Sequence, residues 1–250
     1  MATNNYLFVS KIYNYLMKDV NYSDWSEYLL SIFNNYGNNG NHFLEIAGGT
    51  GTLASSFQKF HPDIILTDLS IQMLKQAKIQ NRVCCDMRFL PFKRKFDFIF
   101  STFDSLNYLL KIEDLICHFK EIYNLLDDKG IYTFDVSLEP NSLNNIGIMN
   151  RSGNVDDIYF KQISRYNKSN KIHTNKFEFY QNGKLIFEES HSQKIFPIYI
   201  YFDIINKSNM FAVECFDSFS YQDANVNSER AQFIIKKINH GKSFKCNIQI

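Results

Sequence analysis

The chain has 250 residues, 45% of them hydrophobic and 21% charged, with a formal net charge of +1. That length and apolar content supply one large α/β core with room for an inserted lobe, and too little for a second full domain. The near-neutral charge, with basic residues scattered among acidic ones, excludes a general attraction to nucleic acid or to an acidic membrane surface.

The opening stretch "YLFVSKIYNYLMKDVNYSDWSEYLLSIFNNY" repeats apolar and aromatic residues every three or four positions. This predicts two N-terminal helices, the second starting near Asp24 with Ser23 as its cap. The N-terminus lacks a basic segment leading into an apolar core and a small-residue cleavage site. No window approaches the roughly 18 consecutive apolar residues of a spanning helix, so a soluble cytoplasmic protein is expected. The polar run "NNYGNNGN", Asn34 to Asn41, predicts a loop.

Beyond it, strand-like and helix-like segments alternate: "HFLEIA", "TLASSFQKF", "DIILTD", "IQMLKQAKI", "RVCCDM", "FDFIFST", then a helix "IEDLICHFKEIYNLL" ended by Gly130, and the strand "GIYTFDVS". Apolar strands alternating with helices of this length predict a doubly wound parallel sheet covered on both faces. After Asn141 the pattern becomes antiparallel. "DIYFKQISRY", "KIHTNKFEFYQ" and "KLIFEESHSQKIF" read as three strands, the last two joined by the hairpin dipeptide Asn182-Gly183. A helix "PIYIYFDIINKSNMF" and the strands "AVECFDSFSY" and "ERAQFIIKKI" complete the chain. Cys84, Cys85, Cys117, Cys215 and Cys246 show neither CxxC spacing nor companion histidines, which fits a reduced compartment and no metal site.

In "GGTGTLA", Gly49, Gly51 and Ala54 satisfy GxGxxA, and Asp68 ends the next strand. Glycines permit close backbone approach and a strand-end carboxylate accepts a ribose diol, so a dinucleotide or another nucleoside ligand is expected. Glu45 weights the choice. A carboxylate facing the ligand there would repel a pyrophosphate and attract an ammonium or sulfonium, unless it pairs with a backbone group at the strand end.

"FLEIAGGTG", "ILTDLSIQML", "VCCDMRFLPF" and "FDFIFSTFDSLNYLL", in this order, together resemble class I S-adenosylmethionine-dependent methyltransferases. "KIYNYLMKDVNYSDW" and "FDSLNYLL" are similar to the small-molecule, N-methyltransferase-like branch of that family, which also carries a hairpin insert after its fifth strand. The combined expectation is an α/β fold: a doubly wound, Rossmann-like, seven-stranded, mostly parallel sheet with an inserted antiparallel β meander and N-terminal helices. Residues 1–40 form a helical lid, 41–140 and 197–250 the S-adenosylmethionine-binding core, and 141–196 a substrate lobe. The resemblance implies Glu45 at the methionine ammonium, with Ala47, Gly48, Gly49 and Gly51 beneath the methionyl part and Ala47 replacing the usual first glycine. It implies Asp68 on the ribose, Leu69 and Met73 on the adenine, Asp86 at the adenine amino group and the Met87 backbone at the ring edge. Thr102 and Phe103 reach the methionine, while Tyr13, Tyr22 and Trp25 close the lid.

Each assignment has a plainer alternative. Asp68 could cap the following helix, Met73 could be core, and Tyr13, Tyr22 and Trp25 could form a buried helical stripe. Asp104 is the best-placed catalytic or substrate-contacting residue, joined by Asn107 and Tyr108, unless it caps the short helix "SLNYLL". Tyr13 and Tyr22 are further candidates for proton transfer. His173 and His191 are bases if they face the cleft and solvated side chains otherwise. The proline-containing tetrapeptide of nucleobase N-methyltransferases is absent at "TFDS", which argues against nucleic acid. The expected acceptor is a small-molecule amine, with a hydroxyl next, for a monomer or homodimer off the membrane. Two other classes remain: an NAD-dependent oxidoreductase, whose YxxxK pair has as its sole match Tyr180 to Lys184 across the hairpin, and a non-catalytic methyltransferase-like module.

Overall fold

The computed structural model describes residues 6–238. Two helices come first, α1 (Val9–Leu16) and α2 (Tyr22–Tyr36). The core alternates β1 (Phe43–Glu45), α3 (Thr52–Phe57), β2 (Ile65–Asp68), α4 (Ile71–Gln76), β3 (Arg82–Cys84) and β4 (Phe96–Ser101). A 3-10 turn (Ser105–Tyr108), α5 (Ile112–Leu125) and β5 (Leu126–Ser137) follow. Next come α6 (Glu139–Asn145) and the strands β6 (Arg151–Val155), β7 (Ile158–Asn167), β8 (Ile172–Gln181) and β9 (Lys184–Lys194). The last elements are α7 (Ile198–Lys207), β10 (Met210–Asp217) and β11 (Arg230–Lys237).

Seven strands form one sheet in the order β3-β2-β1-β4-β5-β11-β10. β1 to β5 run parallel, while β11 is antiparallel to both β5 and β10. The continuous apolar runs of β1 and β4 are buried on both faces, as a sheet covered by helices requires. One set of core residues packs α5 and α7 against the sheet, and another packs α2 and α3 against the other face. Strand order reverses between β1 and β4, so a crevice opens at their carboxyl ends.

The second sheet is antiparallel, in the order β6-β7-β8-β9. Its β8–β9 turn places Asn182 and Gly183 at positive φ, as the dipeptide predicts, and leaves Tyr180 and Lys184 on opposite sides of that turn. Three strands were expected here and four are found. β6 is the polar segment "RSGNV", which carries no apolar alternation to announce it. The preceding helix α6 was likewise not expected.

Three local expectations change. Helix α2 begins at Tyr22, capped by Asn21 rather than Ser23; the Asn21 side chain accepts from the Ser23 and Asp24 N–H groups. Helix α5 stops at Leu125, well before Gly130, and the chain is already extended from Leu126. Gly130 instead lets β5 pass close to β4: a Cβ there would lie 2.9 Å from the carbonyl oxygens of Phe96 and Asp97. Cys84, Cys85, Cys117 and Cys215 are free thiols, and Cys246 lies outside the described residues. No helix among the described residues is long and apolar enough to cross a membrane.

The crowding at Gly130 sets a stability prediction. Gly130→Ala should destabilise the protein by about 1–3 kcal/mol, the cost of overpacking against unyielding backbone. Urea denaturation measures it, and a midpoint equal to wild type would contradict the close approach.

Candidate active site

The crevice at the strand ends is the mouth of a cavity of ≈ 740 Å³, floored by the loop after β1 and roofed by α1 and the inner face of the second sheet. The floor is built from backbone. Ile46 N–H donates to the Phe100 carbonyl, Gly48 N–H to the Thr67 carbonyl and Gly51 N–H to the Gly48 carbonyl. Ala47, Gly49 and Gly51 all sit at positive φ (55°, 60° and 69°). For Ala47 that left-handed conformation costs about 1–2 kcal/mol, a strain glycine would not carry. Gly51 does not line the cavity. A Cβ there would lie 2.6 Å from Leu66 Cδ2, so its role is to let α3 start against β2.

Glu45 is 1% exposed and lines the cavity. Ala54 N–H, in the first turn of α3, donates to its Oε2 at 2.9 Å, so the strand-end pairing considered from sequence is present. No cation pairs with it among the described residues. Burial pushes its pKa up to about 8, against the opposing effect of the Ala54 hydrogen bond, with Asp68 adding repulsion. Asp68 accepts from Gly49 N–H at 2.8 Å and from Ser70 N–H at 2.7 Å, and burial raises its pKa. The cap of α4 is Ser70, whose hydroxyl accepts from Met73 N–H, and not Asp68. A pyrophosphate would be placed beside two acidic side chains with no cation paired to either among the described residues; a cationic headgroup would supply the positive charge that Glu45 lacks.

Leu69, Met73, Asp86 and Met87 line the same end, and Met73 is at once core and cavity wall. Arg88 donates to both Asp86 oxygens and to Asp114. Burial alone would raise Asp86, but the Arg88 hydrogen bonds outweigh it and hold the carboxyl below its usual range. Thr102 and Phe103 line the cavity at the end of β4.

The phenols of Tyr6, Tyr13, Tyr22 and Tyr108 share this space. Burial raises the pKa of each, Tyr108 to about 12, so all are neutral at physiological pH. Trp25 does not reach the cavity. It is 5% exposed, packed on Phe103 (ring centroids 4.7 Å) and Phe219 (4.3 Å), and so supports Phe103 from behind.

Two expected substrate contacts also fall outside the lining residues. The Asp104 carboxylate is held by Arg230 at 2.8 Å and by Gln193 Nε2 at 2.6 Å, and its side chain makes no cap on the turn that follows. Asn107 is fully buried; its Nδ2 donates to the carbonyls of Ser137 and Lys194, and its Oδ1 accepts from Ser137 N–H. It bolts β5 to the end of β9.

Neither histidine is solvated. His173 is closed off between the hydroxyls of Ser164 and Ser142. His191 lines the cavity, stacked on Tyr6 at 4.2 Å with Nε2 unpartnered, and burial lowers its pKa to about 4. Sequence reasoning missed Tyr6, Arg151, Gln162 and Asn175, which also line the cavity. A signal was there. Gln162 stands in phase with buried Phe160, and Asn175 with buried Phe177 and Phe179, so polar residues occupy inward-facing positions.

The Asn107 geometry distinguishes a bolt from a substrate contact. Asn107→Ala strands three buried backbone groups and should cost about 3 kcal/mol or more in stability. Thermal unfolding checks this, and an unchanged midpoint would count against the structural role.

Residues 43–130 match the family model described as a methyltransferase domain. The putative methyltransferase YqeM of Bacillus subtilis (strain 168) is 25% identical over 240 residues, covering 91% of this chain and 95% of that protein. Among solved structures, an S-adenosylmethionine-dependent methyltransferase from Clostridium acetobutylicum superposes with a TM-score of 0.77 at 22% identity, covering 93% of this chain and 98% of that one. The sugar N-methyltransferase KedS8 from Streptoalloteichus sp. follows the same fold with a TM-score of 0.71 at 14% identity, covering 89% and 91%. The chain therefore carries a matched methyltransferase domain at residues 43–130, on the fold shared by solved S-adenosylmethionine-dependent methyltransferases.

Proposed function

We propose that the protein methylates an amine, or next in preference a hydroxyl, of a small-molecule metabolite. The observation that carries this reading is the division of one cavity: carboxylates, glycine backbone and the Tyr13 and Tyr22 phenols on one side, and the Tyr6 and Tyr108 phenols, the His191 imidazole, the Gln162 and Asn175 amides and Arg151 on the other. S-adenosylmethionine would supply a methyl group on a sulfonium: the new N–C or O–C bond would form as the S–C bond breaks, the electron pair going to sulfur and the acceptor's proton to solvent. Alignment of an acceptor lone pair is worth about 7–11 kcal/mol.

In this reading Glu45 holds the amino-acid ammonium over the backbone of Ala47, Gly48 and Gly49. Asp68 accepts the ribose hydroxyls, with Gly49 and Ser70 fixing its carboxylate. Leu69 and Met73 flank the adenine beside the Met87 backbone, and Asp86 shares an oxygen between Arg88 and the adenine amino group. Thr102 and Phe103 bound the methionyl chain. Tyr13 and Tyr22 close over the donor, and Tyr108 faces the acceptor. Asp104, Asn107, Trp25 and Gly51 act as supports. His191, neutral at physiological pH, accepts the acceptor's N–H or O–H hydrogen bond.

Two measurements test the cofactor contacts. Glu45 is mostly protonated at pH 7 in the free protein and ionises against the cationic headgroup, so binding at pH 7 should release close to one proton and tighten as pH rises toward 8. Calorimetry in buffers of different ionisation enthalpy reads this release, which Glu45→Gln should abolish; no release from wild type would sink the contact. Separately, Asp68→Ala should weaken cofactor affinity by about 1–3 kcal/mol if the ribose hydrogen bonds exist, and an unchanged Kd would remove Asp68 from the site.

A further inference from the structure

The acceptor end of the cavity has a directional polar wall. Arg151 on β6, Gln162 on β7 and Asn175 on β8 line it side by side. Arg151 Nε donates to Gln162 Oε1 at 2.8 Å, which turns the Gln162 amide so that its Nε2 donates to Asn175 Oδ1 at 3.1 Å. Because a guanidinium only donates, the direction is set from Arg151 outward. Asn175 is thereby left presenting its NH₂, and the remaining Arg151 donors are free apart from one bond to the Leu16 carbonyl.

The charge around this wall is one-sided. Three cations line the cavity: Arg88 is paired with Asp86 and Asp114, Lys111 sits at the N-cap of α5 one turn from Asp114, and Arg151 makes no salt bridge among the described residues, with Asp19, outside the cavity lining, acting on it only at longer range. The four lining carboxylates, Glu45, Asp68, Asp86 and Asp114, belong to β1, β2, the segment after β3 and α5, and none to the second sheet. The second sheet thus offers an unpaired guanidinium and an oriented amide with no acid beside them in the wall. Planar donors of this kind match a carboxylate or phosphate.

We propose that the methyl acceptor carries an anionic group, a carboxylate or a phosphate, which docks on Arg151 and the Gln162–Asn175 amide ladder while its amine or hydroxyl points toward Phe103. This rests on the small-molecule methyl-transfer reading above and names its substrate class. Arg151 also touches the last turn of α1, so its removal must be read through an effect confined to the acceptor.

The test uses the intact protein with S-adenosylmethionine and matched acceptors: α-amino and α-hydroxy acids, phosphoethanolamine, and their uncharged amide or alcohol counterparts. Formation of S-adenosylhomocysteine should be confined to an anionic set, and the arm that turns over tells carboxylate from phosphate. For that acceptor, Arg151→Gln should raise KM at least tenfold with kcat and cofactor Kd little changed, and Arg151→Lys should restore part of the loss. Equal turnover of the uncharged counterparts would overturn the inference. So would a KM unmoved by Arg151→Gln, a parallel loss of cofactor affinity, or no anionic acceptor methylated by protein that binds the cofactor. Failure to bind S-adenosylmethionine in calorimetry would instead strike the reading beneath it.

Discussion

Arg230 is the residue on which the two sheets and the cleft jointly depend. It comes from β11, near the end of the described chain, and its guanidinium lies between the carboxylates of Asp104 and Asp135. Asp135 is wholly buried in β5, and burial raises its pKa in spite of Arg230. Its Oδ2 also accepts the Asp104 N–H at 3.0 Å. Phe103 and Asp104 are consecutive non-glycine residues at positive φ (57° and 51°), a conformation that persists only where surroundings over-determine it. The two carboxylates and Arg230 supply that determination. Gln193 of β9 bonds the same Asp104 carboxylate, so the second sheet is tied to the tip of β4 that presents Thr102 and Phe103. Taking Arg230 away would leave a buried, uncompensated carboxylate, a class of change that costs about 3–5 kcal/mol.

With the cleft held open in this way, its electrostatics follow the charge change of the reaction. In the proposed function the cationic cofactor would meet Glu45 and Asp68, both raised in pKa by burial and therefore responsive to an incoming cation. The end proposed for the acceptor keeps the Tyr6 and Tyr108 phenols un-ionised and the His191 imidazole neutral, again by burial. A phenolate or an imidazolium beside the reacting atoms would compete with the acceptor for the methyl or repel the donor. Neutral donors and acceptors align a lone pair without doing either, which suits a reaction in which placement supplies much of the acceleration.

The seven-stranded sheet was legible because its strands are short apolar runs separated by helices, and that pattern is a direct consequence of burial on both faces. That Glu45, Gly48, Gly49, Asp68 and Asp86 line one cavity was legible for a related reason: they lie at or just past strand ends, close in sequence to the turns that position them. What escaped is non-local. Asp104 looked like a free carboxylate because its partner is 126 residues away at Arg230, by the difference of the two residue numbers. Asn107 looked like a rim residue because the carbonyls it satisfies, those of Ser137 and Lys194, come from β5 and β9. Trp25 looked like a lid because helical periodicity shows which face is apolar but not whether core or ligand covers it. Edge strand β6 was invisible because Val155 is the single apolar side chain among its five residues, too little to make an alternating pattern.

The wall and the lid are mechanically one. Helix α1, which carries Tyr13 over the glycine loop, is gripped at both ends by the second sheet: Glu189 of β9 accepts from the Val9 and Phe8 N–H groups, and Arg151 of β6 donates to the Leu16 carbonyl. An acid at the N-terminus and a base at the C-terminus both complement the helix dipole. Gln76 of α4 adds a fourth bond, to the Ser10 carbonyl, from the core side. Helix α1 is therefore fastened to the same sheet that carries Arg151, Gln162 and Asn175.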